Sequence, residues 1–249
     1  MSNSAFAFEK ALKNKTKKEV LVEKLIDMLK TGLLREGDLL PSERELAQLF
    51  EVSRETVRGA LAQMAAYDLI SVSQGSKTRI SADEHALSRF TDTQEACRVS
   101  EMESFDLDCV FESRIIVEAA IARRAAIRID MEGIQKLERL LDAQSKLFDS
   151  PVYFQLSDQS FHKLISEYAN NSLLLRYAQE LYGYGLSIRR QVMVEDGAIE
   201  RSYGEHARIV DALKRGDPDA AERAMLAHLD SVYRTTKEKS ACEIDKSVN

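Results

Sequence analysis

Apolar residues recur at helical spacing through most of the chain. From residue 107 onward they predict long amphipathic helices near 107–128, 130–148, 151–169, 171–195, 198–215 and 218–238. The breaks fall at Ile129-Asp130, Ser150-Pro151, Asn170-Asn171, Asp196-Gly197 and Gly216-Asp217-Pro218. In the last of these, Gly216 suits the residue just past a helix, Asp217 an N-cap and Pro218 a first helical position. Six such segments joined by short connections predict an antiparallel bundle. Three prolines and ten glycines in 249 residues agree with a mainly helical chain. Residues 1–8 and 240–249 lack the pattern and are expected to fray.

The N-terminal third is patterned differently. Val20, Leu21, Leu25 and Leu29 mark a helix over 17–31, with Gly32 following. Ser42 and Glu45 form a Ser-x-x-Glu capping box ahead of Leu46, Ala47, Leu49 and Phe50. Glu51-Val52 makes a turn, and Ser53 can cap a further helix whose inward face is Val57, Ala60, Leu61 and Met64. Two β-prone runs, 69–73 and 77–81, flank Gln74-Gly75-Ser76, where Gly75 can take positive φ. Two short helices across a tight turn, followed by a hairpin, predict a winged helix-turn-helix. The fold class is therefore mainly α: this winged unit plus a C-terminal all-α antiparallel bundle.

Arg54, Thr56 and Arg58 fall largely outside the apolar face of the second helix. Such a helix meets the major groove by its N-terminal residues, and arginine reads guanine O6 and N7. Arg54 is the first base-reading candidate and Arg58 the second. Thr56 could touch a thymine methyl or a phosphate, Ser53 stands at the same helix start, and Arg44 on the preceding helix could reach backbone or a base edge. Gln74, Gly75 and Lys77 at the wing tip could enter the adjacent minor groove. Any single arginine could equally be a solvated surface charge; the argument rests on capping box, turn, Arg-x-x-x-Arg and wing occurring together.

Leu40-Pro-Ser-Glu-Arg-Glu-Leu-Ala, Val52-Ser-Arg-Glu-Thr-Val-Arg-Gly-Ala-Leu and the Gln74-Gly75 wing make this region resemble the GntR family of bacterial transcription regulators. The resemblance covers most of residues 17–81. It implies that Arg44, Arg54, Arg58 and Gly75 contact operator DNA. Gly59 departs from the Glu or Lys usual after the second arginine, which removes a charge and leaves the readers intact.

A net charge of −6 looks wrong for a DNA binder until it is divided. Residues 1–80 hold 13 Lys+Arg against 11 Asp+Glu, and residues 81–249 hold 22 against 30. The N-terminal part is therefore net +2 and the remainder net −8. Local charge decides phosphate contact, so the acidic part is expected to face away from DNA. The lysines at 10, 13, 15, 17 and 18 fit a solvated arm at least as well as a phosphate contact. The cysteines at 97, 109 and 242 are scattered, which favours a reducing cytoplasm over a disulfide frame or zinc ribbon. No signal peptide or membrane-length apolar run is present, so no membrane partner is expected. The expected organisation is a DNA-binding domain at 9–81, a linker at 82–106 and a helical domain at 107–240.

Three of the four histidines, His162, His206 and His228, lie in the bundle segments. Asp158 precedes His162 by four residues and so shares its helix face. His206 lies ten residues before Gly216 and His228 ten after Pro218, which puts them at one level of an antiparallel pair. Imidazole and carboxylate suit a divalent metal, Zn²⁺ first, with Ni²⁺ or Mn²⁺ as alternatives. Each histidine alone is more often a packed or surface residue, and His85 in the linker is read that way.

Glu112-Ser-Arg-Ile-Ile-Val-Glu-Ala-Ala-Ile-Ala, the Asp158/His162 pair, His206 and His228 also resemble the FadR-type C-terminal (FCD) domain of the GntR family over roughly 107–238. Asn171-Ser172 stands where many members have Asn-Pro. The resemblance implies a cation at those four positions beneath an effector cavity. It further implies a small organic-acid or sugar-acid effector, with Arg114 facing its carboxylate. On the residues alone, Arg114 could instead pair with Glu118, and Arg189 is a further effector candidate whose helix phase is not fixed. The first reading is a cytoplasmic repressor whose homodimer places two recognition helices on a two-fold-related operator. Two other readings remain: a regulator for which the cation is itself the signal, and a metal-dependent hydrolase. The hydrolase fits less well, because no separate general base accompanies the site and the DNA-binding unit would be unexplained.

Overall fold

The structure is a computed structural model that describes residues 16–30, 32–50, 52–71, 78–82, 86–87 and 105–247. The chain divides into an N-terminal and a C-terminal compact unit.

The N-terminal unit contains α1 (Lys17–Lys30), α2 (Glu43–Leu49), α3 (Arg54–Ala66), β1 (Ile70–Ser71) and β2 (Arg79–Ile80). The capping box is formed at both ends. Glu45 N donates to Ser42 Oγ at 3.3 Å and Ser42 N to Glu45 Oε2 at 2.8 Å. Leu21, Leu25 and Ile26 of α1 are buried, as are Leu46 of α2 and Val57, Leu61 and Met64 of α3. β1 and β2 are antiparallel, with Ile70 opposite Ile80. A third extended segment, unforeseen from the sequence, joins them. Gly37 N donates to Ile80 O at 2.9 Å and Leu40 N to Thr78 O at 2.8 Å. Its residues, Gly-Asp-Leu-Leu, carry no alternating pattern, so only the partner strand reveals it.

The C-terminal unit holds α4 (Leu107–Arg128), α5 (Met131–Gln144), α6 (Pro151–Tyr168), α7 (Ser172–Tyr182), α8 (Leu186–Val192), α9 (Ala198–Lys214) and α10 (Pro218–Ser247). The helix expected over 171–195 is thus two helices. Gly185 adopts φ 64°, a left-handed conformation that ends one helix before the next begins. The segment expected over 130–148 stops at Gln144, and the last helix runs to Ser247 rather than 238. The Gly216–Pro218 turn forms as its residues predict: Gly216 has φ 63° and Asp217 Oδ1 accepts from Ala220 N at 3.0 Å.

α4 packs against α6, α7 and α10, while α9 packs on α5 and α10. Ala122 and Ala125 of α4 are fully buried and let neighbouring helices approach closely. Leu137, Phe161, Ile165, Ile209 and Leu229 complete this core. Each buried aliphatic side chain of that size stabilises by about 1.5–3 kcal/mol relative to exposure. Ile116 of α4 is exposed. Among the described residues, no helix is long and apolar enough to cross a membrane.

Gly133 on α5 has no room for a methyl group. A Cβ there would meet the Tyr168 ring and lie 2.7 Å from Ile129 Cγ1. Gly133→Ala, which on helix propensity alone would stabilise by about 1 kcal/mol, should instead destabilise by roughly 1–3 kcal/mol. Urea unfolding of both proteins measures the sign.

Candidate functional site

Four side chains from three helices converge inside the C-terminal unit. Asp158 and His162 project from consecutive turns of α6, His206 from α9 and His228 from α10. All four are buried, and one ligand atom from each can be chosen so that all lie within 4.8 Å of one another. The His206 and His228 rings are 4.8 Å apart, as their equal distances from the Gly216–Pro218 turn led one to expect. Asp158 Oδ1 lies 3.1 Å from His206 Nε2 and 3.7 Å from His162 Nε2.

Each histidine has an oxygen acceptor at Nδ1. For His206 it is Gln144 Oε1 at 2.9 Å, and for His228 it is Glu205 Oε2 at 2.8 Å. For His162 it is Glu118 Oε2 at 2.7 Å, a charge contact in which the N–H does not point squarely at the oxygen. An acceptor at Nδ1 draws the proton there and leaves the Nε2 lone pair free, the usual second shell of a metal-ligating histidine. Phe161 and Phe154 stack on His206 at 4.3 and 6.0 Å and dry its surroundings.

The electrostatics agree with that donor set. Burial opposes charge on Asp158, but His162, His206 and His228 hold its carboxyl well below the usual range. Burial pushes the His206 imidazole down to about 4, with Asp158 opposing and His228 assisting. The ring is therefore neutral and able to donate at neutral pH. Glu118 is held at about 2 against burial by Arg114 and His162. An ionised carboxylate facing buried Nε2 atoms of His162 and His206 that have no hydrogen-bond partner is chemistry that could hold a divalent cation.

Two arginines border the cluster. Arg114, 1 % exposed, donates from Nε to Glu118 Oε1 at 2.7 Å, while its Nη1 has no partner. Arg189 is also buried. Its Nη2 donates to the carbonyl of Tyr182, closing the α7–α8 turn, and its Nε is unpartnered. Both guanidiniums lie over the Tyr182 ring, at 5.4 Å for Arg114 and 4.4 Å for Arg189. Burial, then the proximity of Arg114, lowers the Arg189 pKa. The Tyr182 hydroxyl donates to Asp158 Oδ2 at 2.5 Å, and burial and Asp158 push its own pKa well up. A cleft lined by Arg189, Arg201, Ser202, Glu205, Ser231 and Thr235 reaches this region between α8, α9 and α10.

Gln144, Glu205 and Tyr182 were not singled out from the sequence. Glu205 adjoins His206 in the chain yet serves His228, because neighbours on a helix point about 100° apart. No sequence signal links Gln144 to a histidine 62 positions away.

On the N-terminal unit, Arg44, Arg54 and Arg58 are exposed. Glu43 Oε2 lies 3.3 Å from Arg58 Nη2 and 3.9 Å from Arg54 Nη2, and Arg58 Nη1 is 3.3 Å from Glu55. Exposed pairs of this kind contribute only about 0–1 kcal/mol, so the guanidiniums can exchange partners readily. Ser53 caps α3 by accepting from Thr56 N at 3.1 Å, and the two hydroxyls lie 2.8 Å apart. Both residues thus hold the helix start. Gln74, Gly75 and Lys77 lie outside the described residues, as do His85 and most of the expected linker.

Gln144→Leu should leave buried His206 Nδ1 without an acceptor and cost about 1–3 kcal/mol. Urea unfolding in the presence of a chelator isolates this effect from any metal contribution.

Residues 17–80 match the family described as bacterial regulatory proteins, gntR family, and residues 109–231 match the FCD domain. The HTH-type transcriptional repressor NanR of Cronobacter sakazakii is 31% identical over 237 residues, spanning 90% of this chain and 86% of that protein. NanR of Escherichia coli K12 is 32% identical over the same spans. The solved structure of E. coli McbR/YncC has a TM-score of 0.53 at 14% identity and covers 91% of this chain and 99% of its own, a likeness of fold. Helix-turn-helix, wing strands and C-terminal helical unit together place the chain in the gntR family of bacterial regulatory proteins, with an FCD domain as its C-terminal unit.

Proposed function

We propose that the protein is a cytoplasmic transcriptional repressor whose hold on operator DNA is modulated by a small carboxylate bound beside a divalent metal. Membership of a family of regulators, with relatives named as repressors, makes it a regulator of transcription and not an enzyme. Residues 9–81 bind operator, 82–106 link, and 107–240 carry the metal, the effector and the dimer contact. A homodimer presents two α3 helices to half-sites about one helical turn apart. Asp158, His162, His206 and His228 hold the cation, Zn²⁺ first, with Ni²⁺ or Mn²⁺ as alternatives. When bound, the cation supplies an electrophilic position for a hard oxygen donor.

The observation that carries this reading is the unpartnered Nη1 of buried Arg114 beside the buried Asp/His cluster. A buried guanidinium with a spare donor calls for an anion, and a carboxylate satisfies it by charge-assisted hydrogen bonds. Arg114, Glu118 and Arg189 are the residues assigned to the acid. Regulation further requires that the acid bind two arrangements of the dimer with different affinity.

Calorimetric titration of small hydroxy and sugar acids into metal-loaded, metal-stripped and Arg114→Ala protein tests the bridge. Tight binding to the loaded wild type and much weaker binding to both other forms is expected. Equal binding to stripped and loaded protein would make the metal a structural staple. DNA release on chelation alone, with no response to any acid, would make the cation the signal.

On the DNA side, Arg54, Arg58 and Arg44 read and position the operator, with Ser53, Thr56 and the wing residues Gln74, Gly75 and Lys77 in support. Arg54→Ala should cost about 1–3 kcal/mol on the cognate duplex and relax preference at one base position. Binding to cognate and scrambled duplexes at fixed salt measures this, and equal losses on both would reduce Arg54 to a phosphate contact.

A further inference from the structure

Glu118 touches both Arg114 and the histidine cluster. Its Oε1 accepts from Arg114 Nε at 2.7 Å, and its Oε2 lies 2.7 Å from His162 Nδ1. The carboxylate is 2 % exposed, so it has no solvent to share its charge with. His162 differs from the other two histidines of the cluster. His206 and His228 are fixed by aligned hydrogen bonds to Gln144 and Glu205, whereas His162 has no aligned partner at either nitrogen. Of the three rings, it is the one whose second shell is still adjustable.

We propose that Glu118 is a positioning residue that couples anion binding at Arg114 to metal affinity at His162. This rests on the carboxylate–metal reading above. An acid bound at Arg114 Nη1 shares the guanidinium charge and weakens its hold on Glu118. The freed negative charge then acts on His162 Nδ1–H, which orients the ring and raises the basicity of Nε2. The reverse effect must be of equal size. With a cation held by the cluster, Glu118 would be drawn more strongly to His162 Nδ1, and Arg114 would be left more available to the acid. Glu205 plays the same part for His228 but has no bond to Arg114, so it supports the metal without carrying the coupling.

Zinc affinity, read by competition with a chelating dye with and without acetate as the probe acid, separates the roles. In wild type, acetate should tighten zinc binding. Glu118→Gln should weaken zinc about 10–100-fold and lower the acetate-dependent ratio, leaving only the part that comes from direct contact between acid and metal. Glu205→Gln should also weaken zinc but keep the wild-type ratio. Glu118→Asp keeps the charge but is too short to span Arg114 and His162, and should lower the ratio as well. It carries the test if Glu118→Gln does not fold. A wild-type ratio retained in the folded Glu118 variants overturns the coupling role while leaving the metal–carboxylate site standing. No acetate effect in wild type overturns both.

Discussion

Ionisable groups inside a helical core must satisfy one another, and the C-terminal unit is organised around that constraint. Asp158, Glu118, Arg114, Arg189 and three histidines are all nearly sealed from solvent. An isolated buried charge costs several kcal/mol, so each group needs a partner or a ligand. The chain meets most of this demand internally: Arg114 with Glu118, Tyr182 with Asp158, Gln144 with His206 and Glu205 with His228. What it leaves unmet is specific. Both nitrogens of His162, His206 Nε2, Arg114 Nη1 and Arg189 Nε have no aligned hydrogen-bond partner. The two Nε2 atoms are electron-pair donors and the two guanidinium nitrogens are cationic N–H donors.

The break between α7 and α8 matters for the same region. A continuous helix through residues 182–189 would leave no free carbonyls there for a guanidinium. The left-handed Gly185 releases those of Tyr182 and Tyr184, and Arg189 Nη2 donates to both. This turns Arg189 inward over the Tyr182 ring. The arginine therefore has a structural task of closing the turn, and its Nε is left without a hydrogen-bond partner.

The N-terminal unit solves a different problem. Its arginines must stay in water and remain exchangeable. Glu43 neutralises part of the charge of Arg54 and Arg58 without burying either. The excess of acid lies in the other part of the chain, where it leaves the local positive balance of the DNA-binding unit intact.

The sequence by itself determined the helical class, the Ser42/Glu45 capping box, the Gly216–Pro218 turn and the Asp158/His162/His206/His228 grouping. All of these follow from local rules: cap chemistry, the 3.6-residue period and distance from a turn. It misplaced the ends of several helices and read α7 and α8 as one, since a glycine inside an amphipathic pattern does not announce its φ. It also missed the strand segment at Gly37–Leu40 and the roles of Gln144, Glu205 and Tyr182. By sequence, Arg114 fits either Glu118 or an effector; the tertiary structure gives it Glu118 and leaves one guanidinium nitrogen spare. Only tertiary packing could decide these, because a second-shell contact depends on which faces of distant helices meet, and that is set by the whole core.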